Sequence, residues 1–193
     1  IAHMPQIFKV YRGDRYLVVV EEYIDGSSLS EHLREGTFEP FEAARIVRDL
    51  CCILNKLHTL ECPIIHRDIK PSNVMLTKSG EVVLLDMNVA KWYDSEEKED
   101  TRLLGTKDYA APEQAGYGMK ASSDKTDIYA VGILLNVMLT GKLPKEKPAQ
   151  GKLWDIIERC ISLDADTRYS ADELIERLDN YLGENTNAGK KDR

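Results

Sequence analysis

The chain has 193 residues, with 26 Lys and Arg against 33 Asp and Glu, a formal net charge of −7 and 42% hydrophobic residues. That composition excludes a wholly disordered chain, and the length is enough to bury a core in one domain, with two as the weaker alternative. The acidity argues against duplex DNA or an anionic membrane surface as the main partner, because neither field favours a net anion.

Ile7–Val10 and Tyr16–Ile24 are rich in Val, Ile and Tyr on either side of Arg12-Gly13-Asp14, which predicts an antiparallel hairpin. Asp25-Gly26-Ser27 breaks it. Ser28-Leu29-Ser30-Glu31 has capping-box spacing and starts a short helix that stops at Gly36. Pro40 to Leu60 reads as a long helix, with Phe41, Ala44, Val47, Leu50, Cys51, Leu54 and Leu57 on one apolar stripe. Cys62-Pro63 ends it, Ile64-Ile65 is a short buried strand, and Val74–Leu76 with Val82–Leu85 predicts a second hairpin around Lys78-Ser79-Gly80. From Ala90 to Lys107 the periodicity fails. The charge run from Asp94 to Asp100 reads as a solvated loop or, more sharply, as a mobile regulatory one.

Asp124 to Leu139 is apolar nearly all round, so it is expected at the centre of the fold. Its apolar part, from Ile128, is too short to span a bilayer. Thr140-Gly141 and Pro144 terminate it, and Lys142 to Lys152 is a polar connection. Leu153–Ile161 and Ala171–Leu182 are two amphipathic helices, and 183–193 is a polar tail expected to fray. The layout predicts an α+β, mainly helical fold with a short N-terminal β-hairpin. Cys51, Cys52, Cys62 and Cys160 have neither C-x-x-C nor zinc-like spacing, so they are expected to be small buried thiols in a reducing, cytoplasmic setting.

His66-Arg67-Asp68-Ile69-Lys70-Pro71-Ser72-Asn73 matches H-R-D-x-x-x-x-N, the catalytic loop of protein kinases. Phosphoryl transfer needs a carboxylate to accept a hydroxyl proton, oxygen ligands for Mg²⁺, and cations for developing phosphate charge. Thirteen residues after Asn73 comes Asp86-Met87-Asn88, where a kinase carries Asp-Phe-Gly. Gly105-Thr106-Lys107-Asp108-Tyr109 and Ala111-Pro112-Glu113 follow in the family's order. The chain thus resembles a eukaryotic-type serine/threonine protein kinase, of a bacterial cast, from Ile1 to about Leu182.

The resemblance implies a hairpin remnant of the small lobe over 1–24 and the large lobe over 25–182. It implies ATP and Mg²⁺, with Mn²⁺ as a substitute, and protein Ser/Thr hydroxyls as acceptors. Asp68 becomes the base, Lys70 the cation beside the γ-phosphate, Asn73 and Asp86 the metal ligands, and Thr106 a positioning residue. Glu22 to Ile24 becomes the hinge that meets adenine, with Met75 beneath the ring. Arg67 before the base resembles the type regulated by an anion on the activation loop, with Ser95 and Thr101 as acceptors or as ordinary solvated side chains. Asp127 is expected to tie the catalytic loop down, and Glu113 to pair with Arg168.

The sequence departs from the family in several places. It has no G-x-G-x-x-G and no V-A-I-K. The chain is therefore expected to begin late in the small lobe, to phosphorylate weakly or not at all alone, and to leave a free strand edge through which a homodimer could form. Met87 and Asn88 replace Phe and Gly, Glu21 stands at an ordinarily apolar position, and the connection after Pro144 leaves room for a short helix or none. Two other functions are compatible with parts of the sequence: a pseudokinase or regulatory binding scaffold, favoured by those departures, and a small-molecule phosphotransferase of the aminoglycoside or choline kind, disfavoured by Lys70. A membrane anchor outside the chain is compatible with all three.

Overall fold

β-branched and aromatic residues on either side of Gly13 build the first element pair. In the computed structural model, which describes residues 2–87, 90–92, 106–115 and 122–188, β1 (Ile7–Arg12) and β2 (Leu17–Glu21) run antiparallel, with Lys9 opposite Val20 and Arg12 opposite Leu17. The Gly13 amide closes the turn on the Tyr16 carbonyl at 2.9 Å. Every residue of both strands is exposed, including Phe8 at 61% and Leu17 at 58%.

A three-stranded antiparallel sheet follows, in the order β3 (Gly26–Ser28), β5 (Val74–Thr77), β6 (Val82–Leu84). Gly26 belongs there because a Cβ would run into the Leu76 carbonyl of the neighbouring strand. Ser28 caps α1 (Leu29–Glu35) through the predicted box: Ser28 Oγ accepts from the Glu31 amide at 3.3 Å, and Glu31 Oε2 accepts from the Ser28 amide at 2.7 Å. α1 ends at Gly36 as expected.

α2 (Pro40–His58) buries the predicted stripe with one exception: Phe41, in the first turn, is 46% exposed. Ala43, Ile46 and Ile53, outside the stripe, are also buried, because α2 is covered on several sides, by β6, α3 (Asp124–Thr140) and α5 (Ala171–Ala188). β4 (Ile64–Ile65) pairs with β7 (Lys91–Trp92), Ile64 opposite Trp92. A two-residue strand has no period to read, so β7 sits inside the stretch taken for loop.

α3 is the centre of the core, with Ile128, Val131, Leu134, Leu135 and Met138 almost wholly buried. Gly132 lets α4 (Lys152–Cys160) approach: a Cβ there would stand 2.6 Å from the Cys160 Cβ. The buried Asn136 organises the connection after α3. Its Nδ2 donates to the carbonyls of Lys142 (2.8 Å) and Lys147 (3.0 Å), and its Oδ1 accepts from the Ala149 amide at 2.8 Å. That connection carries turns and no helix.

Two expectations are corrected. α5 does not stop at Leu182: the polar residues from Gly183 to Ala188 stay helical, with Glu184 paired to Lys152 at 2.5 Å and Asn185 Nδ2 donating to the Tyr181 carbonyl at 2.7 Å. The four cysteines are free, but only Cys51 and Cys160 are buried; Cys62, on the turn that leaves α2, is exposed. No helix of the described residues is long and apolar enough to cross a membrane.

Candidate active site

The site is built outward from the N-terminal turn of α3, where Ser123 caps the helix and Asp127 is completely buried. Asp127 Oδ1 accepts from the Arg67 amide at 2.8 Å, and Oδ2 accepts from the His66 amide at 2.9 Å and meets His58 Nε2 at 2.8 Å. Burial pushes the Asp127 carboxyl up, but His58 and the His66 amide outweigh it and hold the group below its ordinary range. The loop they hold is strained: Arg67 has φ 65° and Asp86 φ 64°, both in the left-handed region that non-glycine residues avoid. His66, wholly buried, ties the residue after Arg67 to the residue before Asp86. Its Nδ1 accepts from the Asp68 amide at 3.3 Å, and its Nε2 therefore donates to the Leu85 carbonyl at 3.0 Å.

Asp68 sits on this support with both carboxylate oxygens engaged. Oδ1 accepts from the Thr106 hydroxyl (2.9 Å) and amide (3.2 Å), and Oδ2 accepts from Lys70 Nζ (2.6 Å) and Asn73 Nδ2 (3.1 Å). Lys70 Nζ also donates to Thr106 Oγ1 at 3.0 Å, which closes a triangle of carboxylate, ammonium and hydroxyl. Burial pushes the Asp68 carboxyl up, but Lys70, Thr106 and Asn73 pull it further down, which leaves it below the ordinary carboxylate range. Such a group can take a proton from a neutral hydroxyl beside a fixed cation, the basis of general base catalysis.

The remaining predicted residues fall into three sets. Asn73 Nδ2 also donates to the Asp68 carbonyl at 2.9 Å, and the Asn73 carbonyl accepts from the Leu85 amide at 2.8 Å, which brings Asp86 to the same end of the β5–β6 hairpin. Glu22 and Ile24 lie between β2 and β3, and the Glu22 amide donates to the Gln6 carbonyl at 2.8 Å. Met75 lies on β5 opposite Ser28, so the segment leaving Ile24 runs alongside it. Glu21, paired with Ile7 at the end of β2, is exposed, so water solvates its carboxylate. Ser95, Thr101, Asn88 and Gly105 lie outside the described residues.

Glu113 and Arg168 form the expected pair, bidentate at 2.8 and 3.0 Å, with Arg168 1% exposed. Thr126 Oγ1 donates to Glu113 Oε1 at 2.8 Å, and Arg168 further donates to the carbonyls of Ser162 (2.8 Å) and Lys125 (3.0 Å). Sequence reading missed three participants. His58 carried a weak signal, an imidazole at the end of an amphipathic helix. Thr126 is the third residue of a capping box with Ser123. Gln114 carried no signal, yet it is 3% exposed, accepts from the Ala111 amide at 3.0 Å and donates to the Arg67 carbonyl at 2.8 Å.

A profile of the protein kinase domain matches residues 2–153. The chain belongs to the protein kinase domain family. Among bacterial relatives it is similar to the serine/threonine-protein kinase PknB of Mycobacterium leprae, 38% identical over 130 residues that make 65% of this chain and 20% of that protein. It is 34% identical to the serine/threonine-protein kinase PrkC of Bacillus subtilis over 145 residues, 72% of this chain and 22% of that protein. It is 32% identical to the serine/threonine-protein kinase PkaA of Streptomyces coelicolor over 186 residues, 84% and 34%. The kinase-like α+β fold agrees with the family, and the chain spans between a fifth and about a third of the length of these relatives.

Proposed function

We propose that the chain is the large-lobe part of a serine/threonine protein kinase whose complete domain transfers the ATP γ-phosphate to protein Ser/Thr hydroxyls, with Asp68 as the base. The observation that carries the reading is the Asp68–Lys70–Thr106 triangle, with Asn73 fastened to the same carboxylate. An incoming hydroxyl meets a carboxylate whose Oδ1 already holds the Thr106 hydroxyl, and shares or displaces that bond. Asp68 takes the proton, the substrate oxygen bonds to phosphorus, and ADP leaves with the electrons of the broken P–O bond. Lys70 compensates charge on the oxygens in flight.

The donor set fits a hard divalent cation. With Nδ2 committed to Asp68, Asn73 offers its Oδ1, which accepts from Ser72 Oγ at 3.3 Å, and Asp86 offers a carboxylate. Mg²⁺ held there would neutralise phosphate charge. The backbone of Glu22 and Ile24 meets adenine, and Met75 gives it an apolar floor. Arg67 is the anion-responsive residue, Ser95 and Thr101 are phosphate acceptors, and the region works in the cytoplasm, where free thiols such as those of its four cysteines persist. A second copy pairs on the exposed β1–β2 ribbon.

Intact mass after incubation with Mg·ATP, beside an Asp68→Asn chain, tests the reading. Phosphate gained on Ser or Thr by the parent chain alone supports it; phosphate gained equally by Asp68→Asn contradicts it. Met87 and Asn88, which stand where the family carries Phe and Gly, favour a second reading, a regulatory binding scaffold. Asp68-dependent phosphotransfer eliminates that one.

A further inference from the structure

Arg67 carries φ 65°, and the peptide that links it to Asp68 decides where the carboxylate points. A left-handed arginine persists only if its surroundings over-determine it. Its amide is held by Asp127 Oδ1 at 2.8 Å. Its carbonyl is held by a different element, the 3₁₀ turn Pro112–Ala115, through Gln114 Nε2 at 2.8 Å. The same carboxamide accepts from the Ala111 amide at 3.0 Å, so its orientation is set: oxygen toward the Ala-Pro-Glu turn, nitrogen toward the catalytic loop. Gln114 is 3% exposed, and water has little access to replace either bond.

We propose that Gln114 is a positioning residue: its carboxamide fixes the Arg67–Asp68 peptide and so couples the orientation of Asp68 to the placement of the Ala111–Gln114 turn. The functional half of this inference rests on the reading of Asp68 as the base. The structural half does not. The geometry demands a group that donates on one side and accepts on the other. A leucine fills the same space and does neither. A glutamate of the same shape accepts on both sides when ionised, which sets a carboxylate against the Arg67 carbonyl. When protonated it recovers the donor, and burial raises its pKa toward neutrality.

The test is amide hydrogen exchange, measured by mass spectrometry on the 193-residue chain and expressed as protection factors to remove the intrinsic pH dependence. The parent, Gln114→Leu and Gln114→Glu are compared at pH 6.0 and 8.5, with α5 as an internal reference. Leaving a buried carbonyl without its donor is expected to lower protection over residues 66–73 by roughly ten- to a hundredfold in Gln114→Leu at both pH values. Gln114→Glu is expected to show the loss at pH 8.5 and to recover most of it at pH 6.0, while α5 is unchanged. Unaltered loop protection in both variants overturns the proposal. So does an equal loss in α5 and the loop, or a Gln114→Glu loss that ignores pH. If Gln114→Leu does not fold, the pH response of Gln114→Glu alone decides. Because the readout is structural, phosphotransfer by the Asp68→Asn chain tests the kinase reading separately.

Discussion

At the scale of single residues, the question is how one carboxylate can be both held and reactive. Asp68 is surrounded by donors on both oxygens, which lowers its pKa and weakens it as a resting base. The family chemistry tolerates that, because proton transfer from the attacking hydroxyl can lag behind cleavage of the phosphoryl bond in a loose transition state. Positioning and charge then matter more than basicity. Asp68→Asn is accordingly expected to lower Ser/Thr phosphotransfer by roughly 10²–10⁴-fold. Its melting temperature should stay within a few degrees of the parent, since an amide fills the same space; rate and melt measured on one preparation check both. The juxtaposition of Asp68, Lys70 and Asn73 was legible in the sequence because their short spacing on one loop brings them together. Gln114 was not, because a carboxamide's value lies in two contacts that only the fold brings together: Ala111 three residues away and Arg67 forty-seven residues away.

At the scale of elements, α3 explains why the site holds its shape. Its N-terminal turn supplies Asp127 to the catalytic loop and Thr126 to Glu113, while its apolar length anchors both in the core. The Glu113–Arg168 pair ties the Ala-Pro-Glu turn to the segment before α5. Burial pushes Glu113 up, but Arg168 and Thr126 pull it below its ordinary value of 4.5. A carboxyl depressed in the folded state adds stability that is present above that value and is lost as pH falls through the folded pKa. Arg168→Ala is therefore expected to cost about 3–5 kcal/mol at pH 7, seen as a drop in melting temperature on the order of 10 °C. The gap between parent and variant should narrow below pH 4.5, the ordinary value. Denaturant titrations at pH 7 and pH 4 measure it, and a gap that widens in acid contradicts the assignment. Long helices were read well from period and caps: α2 and α3 end within two residues of expectation. β7 and the last turns of α5 were not, since a two-residue strand and a polar helical extension carry no apolar period and are held by pairings such as Ile64–Trp92 and Lys152–Glu184.

At the scale of the whole molecule, the core and the ribbon differ in kind. α2, α3, α4 and α5 share one buried cluster, whereas β1 and β2 expose Phe8, Val10, Tyr11, Leu17 and Val18 together. Isolated two-stranded ribbons are marginal in water, and clustered apolar exposure of this kind marks an interaction surface. Pairing with a second copy predicts a sedimentation coefficient that rises with concentration and falls to the monomer value in Phe8→Asp. A concentration-independent monomer in the parent chain contradicts that pairing. The hairpin itself was legible; its exposure on both faces was not, because a strand pattern reports which residues pair, not what covers them.

We propose that Asp68, Asn73 and Asp86 form one phosphate-handling site, and occupancy tests this without depending on turnover. The measurement is paramagnetic broadening of backbone amide NMR signals on titrating Mn²⁺·ADP into the chain, repeated with Asp86→Asn. A shared site predicts selective loss of the Asn73, Leu85 and Asp86 signals at concentrations that leave α5 sharp, and retention of those signals in Asp86→Asn. Broadening spread over acidic surface residues, or unchanged by Asp86→Asn, would contradict it.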